Sequence, residues 1–503
     1  MLRRALICLF LLTIPAVLGA QEAAETTAMP KAPMEEKTSV TKHVLSLNGA
    51  DIPYTATAGN MLLKSEQGET QASVFYISYT RDGVEDPSSR PVMFSFNGGP
   101  GAAALWVNLG AFGPKKVEAD DEGNPLPPPG RLIDNPYSIL DVTDLVFIDP
   151  VGTGLSRVAE GVDRALFHGQ QADVRSVGEI IRLWTTRNDR WASPKFLAGE
   201  SYGTTRAAGL ADHLQRFHGM YLNGIVMIST ILHWQIDFHI GNDMPHILHL
   251  PSYTATAWYH KRLPPSLQER PLRDVLDEAE RFALTDYALA LLQGDNLSDD
   301  EHRAMAEKLA AYTGLSADFI QRANLRIELG RFRKELRRDE GITVGRLDSR
   351  FTGYDLDAAG ERPEYDASMT AVDIGYVTLM NDHIGRELEY DTDLRYRSLA
   401  WEVHPWNWED ARNRHANVSE DLRRAMVQNP DMKVLFTAGY YDFATPYFDT
   451  DYTVDHMGLP KHLRSNIAIE YYEAGHMMYI RKVDHEKFRD DVVELIRWAL
   501  NPR

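Results

Sequence analysis

Short apolar runs that stop abruptly, with helical patterns between them, constrain this chain most. "SVFYISY" (73–79), "RPVMFSFNGG" (90–99), "DLVFIDP" (144–150), "KFLAGES" (195–201), "NGIVMIST" (223–230), "KVLFTAGYYD" (433–442) and "SNIAIEYYEAGH" (465–476) each read as a strand. Most are continuously apolar, as central strands buried on both faces are. "QQADVRSVGEIIRLWTTRN" (170–188), "GTTRAAGLADHLQRF" (203–217) and "EKFRDDVVELIRWAL" (486–500) carry helical spacing. Strands alternating with helices imply an α/β architecture, a mostly parallel sheet with helices on both faces.

The alternation breaks between about 241 and 385. "DVLDEAERFALTDYALALLQG" places apolar residues at 275, 276, 279, 282, 283, 287, 291 and 292 and stops at Gly294. "SDDE" (298–301) is a capping box that opens the next helix, which Gly314 closes. This segment reads as a mainly helical cap inserted into the core. The expected organisation is a signal peptide at 1–20, a flexible leader at 21–38, core at 39–240, cap at 241–385 and core again at 386–503.

The signal peptide rests on Arg3 and Arg4, an apolar run from Ala5 to about Val17, and small residues at Gly19 and Ala20, where cleavage is expected. The run is short for a membrane span, which needs about 20 apolar residues. Export to a bacterial periplasm or the medium follows, with no stable membrane insertion after cleavage. Cys8, inside that run, is the only cysteine, so the mature chain has no disulfide. The net charge of −19 argues against nucleic acid as a partner, because phosphate binding needs excess Lys and Arg.

Gly199-Glu200-Ser201-Tyr202-Gly203 sits where a strand meets a helix, the context of a nucleophile elbow. Ser201 needs a positioned base. In this kind of fold the partners follow in the order Ser, Asp or Glu, His. Asp442 directly follows one later strand and His476 the next. Asp449 and Asp451 also follow the first of these strands, but only Asp442 lies in its first turn. An oxyanion hole needs two aimed N–H groups. Tyr202, after the nucleophile, supplies one, and Gly99 in "NGGPG" (97–101) is the candidate for the other. That loop lacks the Lys-Ser/Thr of a phosphate-binding loop. His246 and His249 in "HILH" have ligand spacing without an evident third ligand, so no metal and no organic cofactor is expected.

"NGGPG", "FIDPVGTGLS" (147–156), "GESYG", "GYYD" and "AGH" together resemble the serine carboxypeptidases of the α/β-hydrolase superfamily. The resemblance implies an α/β-hydrolase fold, Ser201, Asp442 and His476 as triad, and a peptide substrate. It further implies that Asn97, the Gly98 backbone and a protonated Glu200 bind the peptide's C-terminal carboxylate. The chain departs from the family at Ala111, where many members carry a glutamate paired with the one before the serine, and at Ala102, Ala103 and Ala104, where they carry a cysteine and serines. The expected activity is a serine-type carboxypeptidase acting through an acyl-enzyme on Ser201. An esterase or acyltransferase would use the same machinery, and a binding protein with a vestigial triad is the reading from another class.

Overall fold

The computed structural model describes residues 35–237, 240–373, 375–408, 411 and 414–501. The expected signal peptide (1–20) lies outside the described residues, as does the expected leader up to residue 34. The main strands are β1 (Thr38–Leu47), β2 (Ala50–Lys64), β3 (Thr70–Arg81), β4 (Val92–Phe96), β5 (Asp144–Ile148), β6 (Lys195–Ser201), β7 (Gly224–Thr230), β8 (Lys433–Gly439) and β9 (Ile467–Tyr472). They form one sheet in the order β1-β2-β3-β5-β4-β6-β7-β8-β9. Pairings among β1, β2, β3 and β5 are antiparallel, and every pairing from β5 to β9 is parallel.

Five helices frame the argument below: α1 (Gln170–Arg187), α2 (Tyr202–His218), α3 (Met244–Tyr259), α4 (Leu272–Phe282) and α5 (Asp299–Thr313). A sixth, α6 (Lys482–Leu500), ends the described chain. Successive strand residues point to opposite faces, and the packing follows that alternation. Met93, Phe147, Ala198 and Val226 join Phe488, Val492 and Ile496 of α6 in one cluster. Phe94, Val146, Leu197 and Met227 join Val177 and Ile181 of α1 and Leu210 and Leu214 of α2 in another. Both faces of the central strands are therefore buried, which is why they read as unbroken apolar runs.

No strand is read from the sequence before residue 73, yet β1 and β2 form a long hairpin there. Asn48 and Gly49 turn it, with φ of 53° and 78°. An Asn-Gly pair between strands is the strongest short-range hairpin signal, because both positions of that turn need positive φ.

Between β7 and β8 the chain leaves the sheet as helices. The Ser298 hydroxyl accepts from the Glu301 N–H and the Glu301 carboxylate accepts from the Ser298 N–H, closing the capping box at the start of α5. The row read from 275 to 292 runs through α4 into a wider turn at Ala283–Tyr287, and Leu292 at its end is exposed rather than packed. Leu248, Val275, Leu276, Leu309 and Phe332 share one apolar cluster with Ala438, Tyr441 and Phe443 at the carboxyl end of β8. The helical segment is thereby seated on the strand end from which Asp442 projects.

Candidate active site

β6 ends at Ser201 and α2 begins at the next residue. Ser201 has φ 60° and ψ −129°, a conformation that costs an L-residue of order 1–3 kcal/mol and persists only where the surroundings impose it. The flanking glycines have a steric reason. A Cβ on Gly199 would lie 2.1 Å from the Gly203 carbonyl oxygen, and one on Gly98 would lie 2.4 Å from the Tyr202 nitrogen. The loop after β4 therefore presses directly against the turn that carries Ser201. Tyr202 is the first residue of α2, so its N–H has no acceptor within the helix. Arg206 locks the arrangement from behind: its guanidinium donates to Asp173 of α1 at 2.7 Å and to the Asn97 carbonyl at 2.7 Å.

His476 follows β9, and its Nδ1 lies 2.7 Å from Asp442 Oδ2. Asp442 is fully buried. Its Oδ1 accepts from the N–H groups of Ala444 (2.7 Å) and Thr445 (3.1 Å), and its Oδ2 accepts from the Thr445 hydroxyl at 2.6 Å. The His476 N–H donates to the Leu347 carbonyl at 2.6 Å, and its own carbonyl accepts from the Ser229 hydroxyl at 2.6 Å. Burial pushes the imidazole pKa down, but the carboxylates of Asp442 and Glu200 more than offset this and leave it above the usual value of 6.5. Neither Asp449 nor Asp451 bonds to His476 among the described residues. Asp451 accepts from the Tyr471 hydroxyl, and burial holds the Asp449 carboxyl well above the usual carboxylate range.

Ser201 and His476 line one cavity of about 510 Å³ together with Asn97, Gly98, Gly99 and Glu200. Glu200 is buried. Its Oε1 accepts from Asn97 Nδ2 at 2.8 Å, and its Oε2 accepts from the Tyr479 hydroxyl at 2.5 Å. Burial raises its pKa, against the lowering effects of His476, Tyr479 and Asn97. Asn97 Oδ1 in turn accepts from the Val107 N–H at 3.1 Å, which fixes the amide's orientation.

Tyr479 is the functional candidate that the sequence reading missed. It enters from the segment after His476, and its ring packs where a Cβ on Gly110 would meet Cε2 at 2.6 Å. The neighbouring Ala111 stands where a partner glutamate is expected, and a tyrosine from elsewhere in the chain fills the role of second partner to Glu200. The only available signal was a hydroxyl-bearing aromatic three residues after the histidine, and that alone points nowhere. His246 and His249 direct ring nitrogens at backbone carbonyls, His246 Nδ1 at Ile327 (3.1 Å) and His249 Nδ1 at Pro245 (2.8 Å). The aromatic segment 401–408 divides. Trp401 and His404 line the cavity, whereas Trp406 and Trp408 pack around the Tyr202 ring. Among the described residues no helix is long and apolar enough to cross a membrane.

A family model described as serine carboxypeptidase matches residues 55–486. Serine carboxypeptidase-like 20 of Arabidopsis thaliana is 27% identical over 195 residues, 39% of this chain and 35% of that protein. The pheromone-processing carboxypeptidase KEX1 of Saccharomyces cerevisiae is 34% identical over 104 residues, 20% of this chain and 13% of that protein. These matches thus span about a third or less of the curated relatives' length. The crystal structure of the yeast prohormone-processing carboxypeptidase KEX1 superposes with a TM-score of 0.55 at 16% identity, covering 88% of this chain and 91% of that one. The sheet order, the helices on both faces and this superposition are those of an α/β-hydrolase, and with a family match running from β2 into α6 the chain belongs to the serine carboxypeptidase family.

Proposed function

We propose that this protein is an exported serine carboxypeptidase that releases the C-terminal residue of a peptide through an acyl-enzyme on Ser201. The observation that carries the reading is the convergence on one cavity of a strained serine, an Asp442-oriented histidine and a buried carboxyl group with an amide partner.

In this reading Ser201 Oγ attacks the carbonyl of the last peptide bond, and the free Nε2 of neutral His476 takes its proton. Asp442 accepts from Nδ1–H, which holds the productive tautomer and stabilises the imidazolium as it forms. The N–H groups of Gly99 and Tyr202 stabilise the developing oxyanion, the latter assisted by the N-terminus of α2. The imidazolium protonates the leaving amine, and water, activated by the same base, then releases the acyl group. Asn97, the Gly98 N–H and Glu200 hold the substrate's terminal carboxylate. Glu200 does so with its proton on, because two adjacent carboxylates share a site only when one is protonated.

The test compares a peptide free acid with its C-terminal amide by mass spectrometry. Release of one residue from the acid, with the amide strongly disfavoured, supports the reading. Equal cleavage of both, or hydrolysis of simple esters only, would move the assignment to an esterase or acyltransferase. A Ser201 that does not react with a fluorophosphonate would point to a binding protein.

A further inference from the structure

The acids and arginines around the cavity do not pair one to one among the described residues. Two acids line it, Glu200 and Asp366. Both are engaged: Glu200 by Asn97 and Tyr479, and Asp366 Oδ1 by the Arg346 N–H (2.8 Å), the Ser368 N–H (3.1 Å) and the Ser368 hydroxyl (2.7 Å). Two arginines line it as well. Arg333 is buried, donates to the Val344 carbonyl at 3.1 Å and lies 3.4 Å from Asp366, so that pair is internally neutral.

Arg346 is different. Its main chain is held on both sides, the N–H by Asp366 and the carbonyl by the Phe443 N–H at 3.0 Å. Its guanidinium is exposed and makes no hydrogen bond or ion pair among the described residues. The next residue, Leu347, supplies the carbonyl that anchors the His476 N–H. A main chain held on both sides, one residue from the anchor of the catalytic base, therefore carries an exposed guanidinium that lines the substrate cavity with no counter-charge among the described residues. This occurs in a chain whose net charge is −19. A guanidinium recognises a carboxylate with two parallel hydrogen bonds and repels a cation.

We infer that Arg346 selects peptides with an aspartate or glutamate beside the scissile bond. This deepens the proposed carboxypeptidase reading and rests on it. The shared chemistry is a carboxylate, which could belong to a side chain or to the peptide's terminus, and the test separates the two.

The experiment measures kcat/KM on N-blocked tripeptides carrying Glu, Gln or Lys at the last or the preceding position, each as free acid and as amide, at a pH where the glutamate is ionised. Wild type should favour Glu over Gln at one of the two positions by about 10-fold or more. Arg346→Met should bring that ratio close to one, and Arg346→Glu should instead favour Lys over Gln there. Because the side chain is exposed, both variants are expected to fold, and an unchanged circular-dichroism spectrum checks it. A wild-type ratio near one at both positions overturns the inference while leaving the peptidase reading intact, since the Gln peptides are still cleaved. A Glu preference that survives in Arg346→Met also overturns it. So does a variant that loses only the acid-over-amide preference, for the guanidinium would then hold the terminus. Failure to release a residue from any of these peptides removes both proposals together.

Discussion

Replacing Tyr479 with phenylalanine tests the proton economy of the site. The substitution keeps the ring that packs against Gly110 and deletes only the hydroxyl that donates to Glu200 Oε2 at 2.5 Å. A hydrogen bond to a charged group is worth about 1.5–3 kcal/mol, and here it favours ionised Glu200 over the protonated form. Its loss makes proton uptake by Glu200 more favourable by roughly 10- to 150-fold, the upper end applying if the hydroxyl contributes nothing to the protonated form. Two groups then shape the pH profile for a peptide acid. In the proposed reading His476 must be neutral, so activity falls on the acid side as pH drops through a pKa that the Asp442 carboxylate raises. Glu200 must be protonated, so activity falls on the alkaline side as pH rises through a pKa that burial holds above the ordinary value. Tyr479→Phe should move the alkaline side upward, and any movement of the acid side should be downward, because a protonated Glu200 no longer raises the His476 pKa. Where wild-type Glu200 is mostly ionised, kcat/KM on the acid should rise by up to that same factor, expressed mainly in KM. The assay is a set of full pH profiles for matched peptide acid and amide, wild type against variant. The amide, which needs no proton on Glu200, should show no displacement of the alkaline side. Superimposable acid profiles for the two proteins would refute the reasoning, as would an equal displacement with the amide.

Other outcomes follow from the same geometry. Ser201→Ala should lose about a million-fold in the chemical step, as triad knockouts do elsewhere, and should no longer react with a fluorophosphonate; near-wild-type turnover in the purified variant would remove the nucleophile. Asp442→Asn should slow turnover by roughly four orders of magnitude through the wrong imidazole tautomer, whereas Asp449→Asn, at a buried side chain that makes no hydrogen bond to His476 among the described residues, should alter stability rather than chemistry; single-turnover rates on both variants decide which aspartate orients the base. Glu200→Gln donates a hydrogen bond at every pH, so the alkaline limb for peptide acids should disappear; a limb that persists in this variant belongs to another group.

What the sequence determined by itself was local. Backbone hydrogen bonding imposes the 2.0 and 3.6 periods, so the strands from 73 onward and the helices at 170–187, 202–218 and 482–500 are written in the spacing of their apolar residues. The glycines around Ser201 were legible for a related reason: a tight strand-to-helix turn leaves no room for a Cβ, and the pattern records that exclusion. Asp442 and His476 could be placed because parallel strands deliver their carboxyl ends to one edge of the sheet, whatever lies between them in the chain. The hairpin of β1 and β2 was also legible at Asn48-Gly49, and was overlooked because half of its residues face solvent and dilute the apolar signal.

Tertiary structure alone decided who meets the buried carboxyl of Glu200. Tyr479 lies 279 positions away, and its hydroxyl is an ordinary polar group until folding places it 2.5 Å from Oε2 with water excluded. The same holds for Arg346. Nothing in its sequence neighbourhood, "VGRLDSR", sets this arginine apart from the chain's other arginines. Only the folded chain, with Asp366 committed to the Arg346 N–H, Ser368 and Arg333, leaves the Arg346 guanidinium at the cavity without a partner among the described residues. Periodicity encodes what a segment does with its own backbone. The balance of charge in a cavity depends on side chains from many segments and is settled only when desolvation makes each of them find a partner or go without.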